Sequence, residues 1–340
     1  MNGYSLQDLS DTIKNQLNKQ TLQRLETGEA KPDGKTISLL SKALKLPADY
    51  FVKETTVHLE ELRFRKLLKL PAKELEKVTA LTVDYLERYL ELEDMLGINN
   101  IIPFVPKSYP VRNEAEVEKA ALDLRKKWKL GEDTLTNIIE ILEENRIKVY
   151  LLKADPAFSG MSTVLNGKIG VIVLNENKEI PVVRRRFSAL HELAHLYLDL
   201  SAFDEKRAEK ICDRFAAAML IIPAKLMQIL GNKRTSIVMQ ELYIIAGQYG
   251  ISLSAIVYQA MHLEIISASY HKLFMIRYNQ YKIREKEFWV FDGKEHSERF
   301  LQLLFRAVAE EIISTSKAAS LYNQRLGDFR ELLDNTAKRD

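Results

Sequence analysis

The chain has 340 residues, 46% of them hydrophobic and 29% charged, with a formal net charge of +3. That length allows two or three domains of roughly 100–200 residues, and the composition excludes wholesale disorder. A lone cysteine, Cys212, excludes a disulfide framework and a cysteine-rich zinc ribbon, and suits a reducing cytoplasm. Nothing approaches the run of about 18 apolar residues that a membrane span needs, and MNGYSLQDLS lacks the apolar core of a secretion signal.

Residues 5–52 read as short helices, SLQDLSDTI, NKQTLQRLETG and GKTISLLSKALKL, with Gly28 and Pro32 punctuating a turn. Residues 54–97 carry Leu81, Tyr85, Leu86, Tyr89, Leu92 and Leu96 at three- and four-residue steps, the packing stripe of an amphipathic helix. Pro103, Pro106 and Pro110 then mark a linker. Beyond Arg112, helices are expected at 113–129 and 133–146. The period next changes to two in IKVYLL, FSGMSTVLN and IGVIVLN, and Asn166-Gly167 sits where a hairpin turn belongs. These are three strands, the last two paired antiparallel. Helical periodicity returns after Pro181 and again at 236–249 and 252–263. LFMIRY and EFWVF look strand-like, and helices close the chain at 296–335. The fold class is therefore mainly α with a small antiparallel β-sheet (α+β). The expected divisions are 1–53, a helical linker over 54–111, a core over 112–272 and a mixed strand/helix tail over 273–340.

Two of the six histidines fall in His191-Glu192-Leu193-Ala194-His195. Positions four apart on a helix differ by only about 40° after a full turn, so both imidazoles project from one face. Their ring nitrogens can then reach one Zn²⁺ at about 2.0–2.1 Å. Glu192, about 100° round the helix, is placed to act as a general base without being a ligand. A catalytic zinc needs a third protein ligand, and the following segment offers Glu205, Glu209 and Asp213. Spacing alone does not choose among them. Cys212 is a further candidate, although a single cysteine on an apolar helix usually serves packing. Two histidines and a carboxylate also accept Mn²⁺ or Fe²⁺. Tyr197, His262 and His271 are candidates for a second oxyanion donor.

FSALHELAHLYLDL followed by EKICDRFAAAMLIIP resembles the ImmA/IrrE family of zinc metallopeptidases. The family pattern, roughly R-F-T-L-A-H-E-L-G-H and then E-x-x-A-N-x-F-A-x-x-L-L-x-P, is matched at Arg186, Phe187, His191, Glu192 and His195. It is matched again at Glu209, Phe215, Ala216 and Pro223. Ala194 replaces the usual Gly, Asp213 replaces the usual Asn, and the stretch from Phe215 to Pro223 is slightly longer than the pattern. The resemblance covers about residues 112–265. It implies a zincin-like core, Glu209 as third ligand, and a site-specific protease acting on a regulatory protein such as a repressor or antitoxin.

Residues 4–51 resemble the Cro/cI-like (XRE) helix-turn-helix family, in the short first helix, the tight turn and the second helix from Asn18. Glu26-x-Gly28, Lys31-Pro32 and the closing Leu-Pro-x-Asp-Tyr-Phe match as well. The resemblance implies that the second helix offers Lys19, Gln20, Thr21, Gln23 and Arg24 to the major groove of double-stranded DNA. Lys14 and Lys35 would hold phosphates. A further helix usually precedes this motif and is expected to be missing here. The tail, through Ser316-Lys317-Ala318-Ala319 and Leu326-Gly327-Asp328-Phe329, suggests a small helix-turn-helix-like element suited to packing or dimerisation.

Two functions compete. One is a cytoplasmic zinc endopeptidase coupled to a DNA-binding module, and the other is a DNA-binding regulator or antitoxin-like protein whose peptidase fold only senses or binds.

Overall fold

The computed structural model describes residues 4–44, 48–51, 71–98, 104–113, 115–283 and 291–337. Two compact units divide them, one of residues 4–51 with 71–87 and one from Arg88 onward.

In the first unit, α1 (Leu6–Thr12), α2 (Lys19–Glu26) and α3 (Gly34–Leu44) precede a 3₁₀ turn, Ala48–Phe51. Ser5 caps α1 and forms a reciprocal capping box with Asp8, whose carboxyl the Ser5 hydrogen bonds hold below its usual range. Asn18 caps α2 through the Thr21 backbone N–H. Ile13, Leu22 and Leu40 form a small core, with Leu6, Leu9, Leu17, Leu25 and Phe51 around it. The long helix α4 (Ala72–Met95) gives its first part to this unit and its last part to the second.

In the second unit, β1 (Tyr109–Pro110), α5 (Glu116–Lys127) and α6 (Ile138–Glu144) lead into β2 (Lys148–Leu152), β3 (Gly160–Leu165) and β4 (Ile169–Asn175). Then come α7 (Val182–Tyr197), β5 (Leu198–Asp199) and α8 (Glu205–Leu220). The helices α9 (Pro223–Leu230), α10 (Met239–Tyr249), α11 (Leu253–His262) and α12 (Ala268–Gln280) follow. The chain closes with α13 (Arg299–Ala309), α14 (Thr315–Leu321) and α15 (Leu326–Ala337).

The three-stranded sheet has the order β2-β4-β3. The expected antiparallel pairing of β3 with β4 is present, with Leu165 opposite Ile169. Asn166 and Gly167 both take positive φ, as the hairpin turn requires. β2 joins β4 in parallel, so the sheet is mixed rather than wholly antiparallel. The helix α7 packs on β3 and β4 and also on α8, which in turn packs on α5. The Leu190, Leu193, Ala194 and Leu196 side chains are buried in the central core.

Two expectations change. LFMIRY is not a strand but part of α12, whose start Ser267 caps and whose Phe274 and Tyr278, one turn apart, are buried. The proline-marked segment is no bare linker from Phe104 onward. Lys107 N–H donates to the Leu196 carbonyl, β1 pairs in parallel with β5, and the Tyr109 ring meets Tyr197 at 5.6 Å. EFWVF, apart from Phe291, lies outside the described residues, as does 54–70. No helix among the described residues is long and apolar enough to cross a membrane.

The candidate metal centre

Pro181, with its fixed φ, opens α7 and supplies no side-chain cap. The helix is stabilised instead by burial, and His191 and Glu192 are buried with 7% and 4% exposure. Two histidines on a solvated helix would not be buried in this way.

The two rings of His191 and His195 turn their Nε2 atoms towards each other, 3.2 Å apart. Glu209 from α8 closes the group, with Oε1 3.1 Å from His195 Nε2 and Oε2 3.5 Å from His191 Nε2. A tetrahedral ion with bonds of about 2.0–2.1 Å separates its ligands by about 3.3 Å. Each Nε2 thus has the other Nε2 and one Glu209 oxygen at about the separation such an ion imposes, and the residues fit a metal. Two imidazoles and one carboxylate leave one tetrahedral position for water or substrate.

Of the other candidates on α8, Glu205 is exposed in the first turn, where a carboxylate suits the helix dipole. Asp213 Oδ1 lies 2.7 Å from His191 Nδ1, the nitrogen facing away from Glu209. Cys212 Sγ lies 3.5 Å from His195 Nδ1, again the far nitrogen. His191, His195 and Cys212 are close enough to form a ligand set of their own. Cys212 approaches His195 on its Nδ1 side, whereas Glu209 meets both histidines at Nε2. The convergence at Nε2 favours Glu209.

Glu192 points to the sheet. Ser162 Oγ, on the edge strand β3, donates to Glu192 Oε2 at 2.8 Å. Gly160, two residues earlier, has no side chain where the Glu192 stem passes. A Cβ there would meet Glu192 Cγ at 3.5 Å and both Val173 O and Leu174 Cδ2 at 3.0 Å. The loop before β3 is fixed by buried Asn175, whose Nδ2 donates to the carbonyls of Ala154, Asp155 and Phe158.

The oxyanion candidates have aromatic neighbours. Tyr197 is buried against Tyr109 and Phe215, and burial raises its phenol. His262 and His271 flank Tyr258, with ring centroids 4.4 and 5.8 Å away, and burial lowers His271. Ser162, Asp213 as a histidine partner, and Cys212 in the same role were not anticipated from sequence. For the last two, the step of three and four residues from Glu209 was the available signal.

Residues 143–261 match the M78 peptidase family model, described as an IrrE N-terminal-like domain, and residues 1–51 match a helix-turn-helix model. The chain joins a helix-turn-helix domain to an M78-type peptidase domain. The M78 match implies a metal cofactor and spans α7, α8 and the three-stranded sheet. Comparison with curated proteins and with solved structures returns no match. In the helix-turn-helix domain, Lys19, Gln20, Gln23 and Arg24 are exposed on α2 and Thr21 is half-buried.

Proposed function

We propose that this chain is a zinc-dependent endopeptidase that cleaves a regulatory protein, a repressor or antitoxin, and that its helix-turn-helix domain directs it to DNA or to that partner. The observation that carries the reading is the convergence of His191 Nε2, His195 Nε2 and Glu209, with the Glu192 carboxylate held by Ser162.

His191, His195 and Glu209 would hold the ion. A bound zinc supplies an acidified water and polarises the scissile carbonyl. Glu192 accepts the proton of the attacking water and returns it to the leaving amine. The hydrogen bond from Ser162 holds one oxygen of that carboxylate in place, and the second oxygen takes the proton. Mn²⁺ or Fe²⁺ also suits this ligand set, and metal analysis distinguishes them. Cytoplasmic location accords with the lone reduced cysteine and the DNA-directed module, and a homodimer would match a palindromic operator.

The test is incubation of the zinc-loaded protein with a DNA-binding protein encoded beside it. Wild type should cut it, and Glu192→Gln should retain zinc yet lose at least about 100-fold in rate. Equal cleavage by Glu192→Gln would overturn the mechanism.

The exposed Lys19, Gln20, Gln23 and Arg24 favour a second reading, in which the chain regulates by DNA binding alone. Operator binding with steep salt dependence, lost in Arg24→Ala and Gln20→Ala, would support it. Full regulatory function in a His191→Ala/His195→Ala variant would favour it over proteolysis.

A further inference from the structure

The ion-facing nitrogens are only half of the arrangement on α8. Cys212 and Asp213 follow Glu209 by three and four residues, so all three side chains fall within one arc of about 100° on the helix. That arc faces both histidines of α7. Glu209 approaches the Nε2 atoms, while the other two side chains reach the opposite nitrogens, one histidine each.

A neutral imidazole carries one N–H, and the acceptor it meets decides which nitrogen keeps it. Asp213 has only acceptor oxygens when ionised, so at 2.7 Å it places the proton of His191 on Nδ1. Cys212 sulfur, at 3.5 Å, stands within reach of an N–H on Nδ1 of His195. Both Nε2 lone pairs are then directed to the ion. We infer that α8 supplies, besides the ligand Glu209, two positioning residues, Asp213 for His191 and Cys212 for His195, which fix both imidazoles in the metal-binding tautomer. The inference rests on the metallopeptidase reading but concerns residues that touch neither ion nor substrate.

The two positions differ in environment. The Asp213 side chain is 49% exposed, so its replacement leaves no cavity. Cys212 is fully buried, and its sulfur is a weak acceptor. Asp213 therefore carries the larger effect.

The experiment is a chelator competition for zinc on the full chain, with cobalt-loaded protein as a spectroscopic reporter. Asp213→Ala is expected to weaken zinc about 10–100-fold, the usual effect of losing such a histidine partner. Asp213→Asn keeps an acceptor oxygen and should recover most of that loss. Cys212→Ser should bind more tightly than Cys212→Ala, and the cobalt protein should show no thiolate-to-cobalt charge-transfer band. Zinc affinity of Asp213→Ala equal to wild type overturns the inference while leaving the metallopeptidase reading intact. A thiolate band lost in Cys212→Ser overturns it too, by making Cys212 a ligand. A wild type that binds no metal overturns both.

Discussion

Ser162 Oγ on β3 donates a 2.8 Å hydrogen bond to Glu192 Oε2 on α7, joining the sheet to the residue that follows the first histidine of the pair. Removing this bond lets the Glu192 carboxylate rotate, without touching the histidines. Ser162→Ala should therefore lower kcat about tenfold, equivalent to about 1.4 kcal/mol, with KM and zinc content near wild type. Steady-state cleavage with metal analysis checks it, and an unchanged kcat would exclude this role for Ser162.

Arg186 and Glu295 form a fully buried ion pair. The guanidinium also donates to the carbonyls of Leu135 and Gly250 and lies 4.0 Å from the Phe291 ring centroid. Glu295 accepts from the Ile138 N–H at the start of α6. Burial raises the Glu295 carboxyl and lowers Arg186, each opposed by its partner. Glu295→Ala should cost about 3–5 kcal/mol because it strands a buried cation. An Arg186→Met/Glu295→Met double variant should recover a large part of the loss. Urea denaturation of the full chain measures both, and a double variant no more stable than the single one would contradict the account.

Arg146 is exposed and follows α6 with φ +71. Its N–H donates to Glu143 O and that of Ile147 to Leu142 O, the bonding of a Schellman turn. Only glycine adopts that conformation without penalty. Arg146→Gly should stabilise the second unit by about 1 kcal/mol, raising its Tm by about 2–4 °C in calorimetry. A lowered Tm would count against the assignment.

Burial, followed by the hydrogen bond to Asp123, pushes the Tyr109 phenol up to about 12 from an ordinary 10.0. Between those values the folded chain keeps a proton that the unfolded chain has lost. Its contribution is complete below about pH 10 and disappears as pH rises through about 12. Wild type should thus lose stability more steeply than Tyr109→Phe across that range. Parallel denaturation curves for the two proteins at rising pH would refute it.

Much of the site was legible because its logic is local. The histidine pair and Glu192 lie within little more than one helical turn, and the three strands announced themselves by period and by Asn166-Gly167. Ser162 was hidden because its partner is 30 positions away on α7, and register is not written in either segment. Nothing in the helical periodicity marks Arg125 and Arg186 as interior, yet both are buried. Arg125 donates to the carbonyls of Gly131, Asp133 and Met219, so its charge is satisfied by backbone that no pattern reveals. LFMIRY misled because its β-branched and aromatic residues suit a strand, while Leu273 and Ile276 stand exposed on the helix that forms. The β1–β5 pairing spans only two residues on each side, too short to leave a period.

The arc on α8 has a consequence for how this sequence can change. Inserting or deleting one residue between Glu209 and Asp213 would swing everything beyond it by about 100°. The carboxylate and the acceptor for His191 would then face different directions, and no compensating substitution elsewhere could restore both. Past Phe215 the constraint passes from the histidines to the core, where Ala216 to Leu220 are buried and Met219 O accepts from Arg125. Within a single helix, then, length is frozen first by chemistry and then by packing.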